Sequence, residues 1–142
     1  MKPLLTIFTA PKPFTNPHIA LIQRNAILSW LNCGNQVEVI IIGQEPGLPE
    51  FITDLQKPAS LPGQLKYLPE VPRNPQGTPL LSSIFSQARL AAQSPLLAYI
   101  NADILATPAF IELTQQVSHQ AASRQSPHYL LVGARWDLDL TT

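Results

Sequence analysis

The sequence has little of several features that mark whole classes of protein. Of its 142 residues only Cys33 is a cysteine, which excludes an intramolecular disulfide and a multi-cysteine metal site. Charged residues make up 13% of the chain, about half the usual share, so a charge-rich disordered tail and a coiled coil are excluded. The longest strongly apolar run, residues 37–43, is far too short to cross a bilayer.

An excess of either charge is also lacking, because nine Lys and Arg balance nine Asp and Glu. The chain therefore lacks the basic footprint of a protein that binds nucleic acid or an anionic membrane. Residues 4–10 imitate a secretion signal only loosely, since threonines interrupt the stretch and Pro11 and Pro13 follow at once. We expect a cytoplasmic protein without a transmembrane segment and without a nucleic-acid partner.

Familiar nucleotide and hydrolase motifs are missing as well. The chain has no Gly-x-Gly-x-x-Gly, no Gly-x-x-x-x-Gly-Lys-Ser/Thr and no Gly-x-Ser-x-Gly. A dinucleotide dehydrogenase, a phosphate-loop nucleotidase and an esterase-type nucleophile elbow are therefore not supported. The three histidines have no mutual metal-ligand spacing.

Proline, by contrast, is abundant, and its placement predicts helices rather than a linker. Fifteen prolines occur, and the pairs Asn16-Pro17, Thr78-Pro79 and Thr107-Pro108 share one form. Each pair places a capping side chain before a proline at the first helical position. Apolar residues at helical spacing follow each pair, and a shorter helix is predicted over residues 48–56.

Short apolar runs between these helices have the composition of strands. They cover residues 4–9, 37–42, 65–68, 96–101 and 129–132. Several are apolar on both faces, as buried parallel strands are. The alternation predicts one α/β domain over residues 1–142, with three layers (α/β/α) and a mostly parallel sheet. Ligands of such sheets bind outside the carboxyl ends of the strands.

The most specific pattern is Tyr99-Ile100-Asn101-Ala102-Asp103, at the end of a predicted buried strand. In an extended backbone, residues two apart point the same way, so Asn101 and Asp103 would both face the cleft. A carboxylate there can hold Mg²⁺ or Mn²⁺, which keep several waters and bridge to substrate phosphates. The alternative is that both residues shape the turn before the helix at Thr107.

The order strand, helix, strand, loop and Tyr-Ile-Asn-Ala-Asp resembles the nucleotide-sugar-binding half of A-type glycosyltransferases. It is similar in particular to the inverting, family-2-like nucleotide-diphospho-sugar transferases. The resemblance implies the Rossmann-like half of the A-type fold and an Asp-x-Asp-like motif. Asp103 falls on the metal-binding acid of that motif, and Asn101 replaces the first acid, which contacts ribose or metal.

Three further segments carry the resemblance. The loop after the first strand stands where the family cradles the base, and Glu45 stands where an acidic residue meets the base or ribose. Arg73 precedes an Asn and a Gly in a loop that the family places close to the nucleotide. The resemblance therefore implies one set of nucleotide-binding residues: Thr9, Ala10, Pro11, Glu45, Arg73, Asn74, Asn101 and Ala102.

These observations lead to three hypotheses about function. The first is a glycosyltransferase-like domain that binds a nucleoside diphosphate sugar with Mn²⁺ or Mg²⁺ at Asp103 and transfers the sugar. The second is a truncated, non-catalytic remnant or interaction module of the same fold, because the acceptor half and an assignable catalytic base are lacking. The third is an unrelated α/β enzyme that acts on a phosphorylated small molecule.

The last segment, residues 133–140, has two interpretations. In one, Trp136 is a platform for a sugar and Asp137 lies in the cleft. In the other, which the alternation of polar and apolar residues favours, the segment is an edge strand with a polar outer face. The exposed apolar side chains of that edge would pair with a second copy of the chain or with another chain.

Overall fold

The computed structural model describes residues 2–57, 61–125 and 128–137. Within them, four strands alternate with four α-helices, which confirms the predicted α/β class. The strands are β1 (Leu5–Thr9), β2 (Val37–Ile42), β3 (Gln64–Leu68) and β4 (Leu96–Tyr99). The helices are α1 (Pro17–Leu31), α2 (Leu48–Gln56), α3 (Leu81–Ala91) and α4 (Pro108–Ser123).

The four strands form one parallel sheet in the order β3-β2-β1-β4. Helices α1, α2 and α4 bury Trp30, Phe51 and Ile111 in a core on one face of this sheet. Helix α3 covers the other face with Ile84 and Ala88. The three layers and the parallel sheet are those of a Rossmann-like fold, as the sequence predicted.

The order of the strands creates a topological switch point between β1 and β4. The chain runs from β1 to β2 to β3 in one direction, and then crosses back to the far side of β1. Helix α3, which connects β3 to β4, accordingly lies on the face of the sheet opposite to α1 and α2, because such crossovers have a constant handedness. Because ligands of open α/β sheets bind at this point, the carboxyl ends of β1 and β4 are the first place to look for a site.

The predicted cap forms at α1; at α4 the predicted N-cap residue and first helical proline are correct but the side-chain cap bond is absent; at α3 the predicted start is wrong. Asn16 Oδ1 accepts hydrogen bonds from His18 N (2.9 Å) and Ile19 N (3.2 Å) at the start of α1. Thr107 makes no side-chain cap bond at α4. Helix α3 begins at Leu81, two residues after Pro79, because Leu80 N donates to Pro72 O (2.9 Å) and so joins the preceding loop.

The predicted strand at residues 129–132 is wrong, since residues 128–137 have no regular structure. Leu130, Val132 and Trp136 are 88%, 82% and 92% exposed. Apolar composition alone does not give a segment a partner strand, and among the described residues β4 pairs only with β1. The predicted edge strand at 133–140 is likewise not formed over 133–137, and its last three residues lie outside the described part of the chain.

A buried ion pair joins the sheet to the end of α3. Glu38 on β2 is fully buried, and its Oε1 lies 2.8 Å from Lys66 Nζ on β3. Its Oε2 accepts hydrogen bonds from Thr6 Oγ1 (2.6 Å) and Gln93 N (2.9 Å). Lys66 Nζ also donates to Ala91 O (2.6 Å), so the pair fixes the last turn of α3 against the sheet.

None of the helices in the described part of the chain is long and apolar enough to span a membrane.

Candidate functional site at the carboxyl edge of the sheet

The two segments that the sequence singled out at the ends of β1 and β4 lie side by side. The strands are in register with Phe8 opposite Tyr99, and Ile100 N donates to Phe8 O (3.3 Å) beyond the last strand pair. Ala10 and Asn101 therefore follow from neighbouring strand ends. This is the switch point of the sheet, so the fold brings these two predicted site residues to one edge.

The geometry predicted for Asn101 and Asp103 is wrong. Strand β4 ends at Tyr99, and Ile104 N donates to Asn101 O (3.1 Å), so both residues lie in a turn rather than in extended backbone. Trp30, a buried residue of α1, holds the turn in place, because its Nε1 donates to Ile104 O (2.9 Å). The alternative interpretation, a turn before the helix at residue 107, describes the backbone better.

The turn nevertheless presents both polar residues to the surface. Asn101 and Asp103 are exposed, whereas Ala102 between them is buried against the core. Ala102 therefore contributes packing that fixes the turn, and ligand contact is left to the residues on either side of it.

Asp103 has a single ionic neighbour among the described residues. Its Oδ2 lies 3.9 Å from Arg135 Nη1, and its side chain is 48% exposed. The described residues contain no group of three or more His, Cys, Asp or Glu side chains that could hold a metal ion. Asp103 fits only a cation that takes its other ligands from water and substrate phosphates, as Mg²⁺ does at phosphate-binding sites.

The loops after β2 and β3 are joined by a second ion pair. Arg73 Nη2 lies 2.7 Å from Glu45 Oε1, and both side chains are largely buried. Arg73 Nη1 donates to Gly77 O (2.8 Å), and a Cβ built at Gly43 would lie 3.7 Å from Nη2. A charge-assisted pair of this length, in which Arg73 is also bonded to Gly77 O, restrains both side chains and links the two loops.

Asn74 shapes the loop that carries Arg73. Its Oδ1 accepts hydrogen bonds from Gln76 N (3.0 Å) and Thr78 N (2.9 Å), which is an Asx turn. The side-chain oxygen is therefore used within the loop. Asn74 supports the predicted nucleotide site by positioning its neighbour.

The loop after β1 is also fixed from within. Thr9 is 1% exposed and Pro11 is buried, so neither side chain is open to a ligand in this conformation. Gln23 of α1, which is 3% exposed, accepts from Lys12 N (2.7 Å) and donates to Lys12 O (3.0 Å). Sequence reasoning missed Gln23; the available signal was a polar residue on the apolar side of the predicted helix.

The predicted site residues thus form two groups on either side of β1. Glu45 and Arg73 follow β2 and β3, while Asn101 and Asp103 follow β4. Neighbouring strands are about 4.8 Å apart, so the ends of β2 and β4 are separated by roughly 10 Å. A ligand with a polar group at each end can contact both.

The chain matches no protein-family model and no curated protein.

Proposed function

We propose that the domain binds a nucleoside diphosphate sugar along the carboxyl edge of the sheet, as a glycosyltransferase-like domain. The single observation that carries the proposal is the switch point, where the end of β4 places Asn101 and Asp103 beside the end of β1. The base or ribose contacts the Glu45–Arg73 pair, and the diphosphate lies near Asp103.

A divalent cation, Mn²⁺ or Mg²⁺, fits this arrangement when it is shared between Asp103 and the diphosphate. Such an ion neutralises the negative charge of a leaving diphosphate. Asp103 supplies one carboxylate ligand, and the exposed Asn101 beside it offers an uncharged donor and acceptor to a ribose hydroxyl.

A non-catalytic binding module of the same fold is the second candidate. Glu45 is paired with Arg73, and Asp103 lies near Arg135, so neither carboxylate stands ready to take a proton from an acceptor. Binding of the donor is therefore better supported than transfer. Sugar transfer by the purified domain would decide against this second candidate.

A thermal-shift screen against nucleoside diphosphates and their sugars, each with and without Mn²⁺, tests the proposal. A ligand at a hundred times its dissociation constant stabilises the fold by about 2.7 kcal/mol. We expect the shift to require the metal and to disappear in Asp103→Asn. The matched control is Glu112→Gln, which neutralises an exposed carboxylate on α4 and should retain the full shift. Stabilisation by no nucleotide, or an equal shift in Asp103→Asn, contradicts the proposal.

A further inference from the structure

Arg135 brings a positive charge to the same edge of the sheet. It lies twelve positions after the last residue of α4, in the irregular segment 128–137. Its Nη1 lies 3.9 Å from Asp103 Oδ2, and its Nε lies 3.1 Å from Asp137 Oδ1. One guanidinium therefore stands between two carboxylates, one of which is the proposed metal ligand.

The two distances describe different interactions. At 3.1 Å, Arg135 and Asp137 are at hydrogen-bond distance, whereas 3.9 Å to Asp103 is too long for a hydrogen bond. Arg135 consequently acts on Asp103 through its charge and leaves both of that carboxylate's oxygens without a donor from the guanidinium. The Arg135 side chain is 54% exposed, so it is accessible to a ligand from solvent.

We infer that Arg135 binds the diphosphate of the ligand. When no diphosphate is bound, Arg135 opposes the binding of a free cation at Asp103. The inference rests on the proposed function. A positive charge near Asp103 repels a divalent cation that arrives alone. The same charge attracts the anionic diphosphate that brings the cation with it, and the planar guanidinium matches two phosphate oxygens.

We therefore expect that removing the Arg135 charge changes the affinity for Mn²⁺ and the affinity for the diphosphate in opposite directions. In Arg135→Ala, Mn²⁺ alone should bind about two- to five-fold more tightly, the range typical of a partly exposed ion pair. A nucleoside diphosphate with Mn²⁺ should bind about ten-fold more weakly, because charge-assisted hydrogen bonds to phosphate are lost. Arg135→Lys keeps the charge and should leave Mn²⁺ binding unchanged while restoring part of the diphosphate affinity.

The experiment is a pair of calorimetric titrations on the full chain, one with MnCl₂ and one with uridine, guanosine, adenosine or cytidine diphosphate in the presence of Mn²⁺. Arg124→Ala is the matched control, since it removes the same charge from the exposed end of α4. Opposite changes in Arg135→Ala, absent from the control, support the inference.

Four results overturn the inference, and only the last of them also overturns the proposed function. If the wild type binds a diphosphate and Asp103→Asn abolishes that binding, unchanged affinities in Arg135→Ala overturn the role of Arg135 alone. Changes of the same sign in both titrations, or equal changes in Arg124→Ala, do so as well. If the wild type binds no diphosphate, both the inference and the proposed function are overturned.

Discussion

Replacing Glu38 with glutamine should lower the free energy of unfolding by about 3 kcal/mol, the lower end of the range for breaking a buried ion pair. The carboxylate is fully buried, and it accepts two hydrogen bonds in addition to its contact with Lys66. Glutamine fills the same space but removes the negative charge opposite the Lys66 ammonium, and it places an NH2 donor where one of the two carboxylate oxygens accepted. The lower end of the range applies because Lys66 is 34% exposed and water partly solvates it.

The stability lost in Glu38→Gln should be smaller at low pH than at pH 7. Burial is the largest influence on Glu38 and raises its pKa, but hydrogen bonds from Lys66, Thr6 and Gln93 N together outweigh it. The carboxyl pKa in the folded protein is therefore lower than its ordinary value of 4.5. A group whose pKa is lowered by folding stabilises the protein above the unfolded-state pKa and loses that contribution as the pH falls through the folded-state pKa.

Urea denaturation of wild type and Glu38→Gln at pH 7 and below pH 4 measures both effects. We expect a large difference in stability at pH 7 and a smaller one in acid. Asp54→Asn is the control, because it breaks the exposed Asp54–Lys57 pair and should leave the midpoint at pH 7 nearly unchanged. A difference that stays constant on acidification would show that the carboxylate charge is not what stabilises this part of the fold.

Replacing Gly47 with alanine should also cost about 3 kcal/mol, from a strained backbone and a steric clash. Gly47 has a φ of +82°, and an added Cβ would lie 2.9 Å from Phe14 Cβ. The neighbour cannot easily move away. Phe14 N donates to Pro46 O (2.8 Å), and its ring stacks on Phe51 with centroids 4.8 Å apart.

Gly77→Ala separates the two causes. Gly77 has the same φ of +82°, but nothing lies within 4 Å of an added Cβ. It should cost about 1 kcal/mol, the penalty for a left-handed non-glycine residue alone. Chemical denaturation of both variants gives the comparison. If the two cost the same, the loops after β1 and β2 are not clamped together at Phe14, and the rigidity of this side of the site is not supported.

The elements that the sequence predicted most closely are those whose bounds depend on local chemistry. Strand β2 covers residues 37–42 and α2 covers residues 48–56, as predicted. The first is a fully buried interior strand in which Glu38 is the only charged residue, and the second begins after a glycine whose positive φ turns the chain. The Asn16 cap at α1 was predicted correctly for the same reason, since a cap depends only on the three residues that follow it.

Two of the wrong boundaries come from contacts with residues outside the predicted element. Helix α3 starts late because Leu80 is bonded to Pro72, and Thr78 N is taken by Asn74 rather than by the helix. Strand β4 ends early because Trp30, 74 residues away in sequence, holds the turn at Ile104. No pattern local to those segments contains this information.

The candidate site also has some features that the sequence predicted and others that depend on tertiary packing. Its location at the strand ends followed from the alternation of strands and helices, and the structure brings Glu45 to Arg73. The burial of Thr9 and Pro11, the use of Asn74 within its loop and the approach of Arg135 to Asp103 depend on tertiary packing. Sequence reasoning therefore predicted which loops meet at this edge of the sheet better than it predicted which side chains are exposed there.

The most direct test of the proposed site is to map it in solution by ¹H–¹⁵N NMR while a nucleoside diphosphate and Mg²⁺ are added. We expect the shifted amides to be those of the carboxyl edge, in residues 9–16, 43–47, 69–79 and 100–107. The chemical shifts of amides at the opposite edge of the sheet, around residues 36 and 93–95, should not change. Shifts confined to that opposite edge, or no shifts with any diphosphate, would contradict the account.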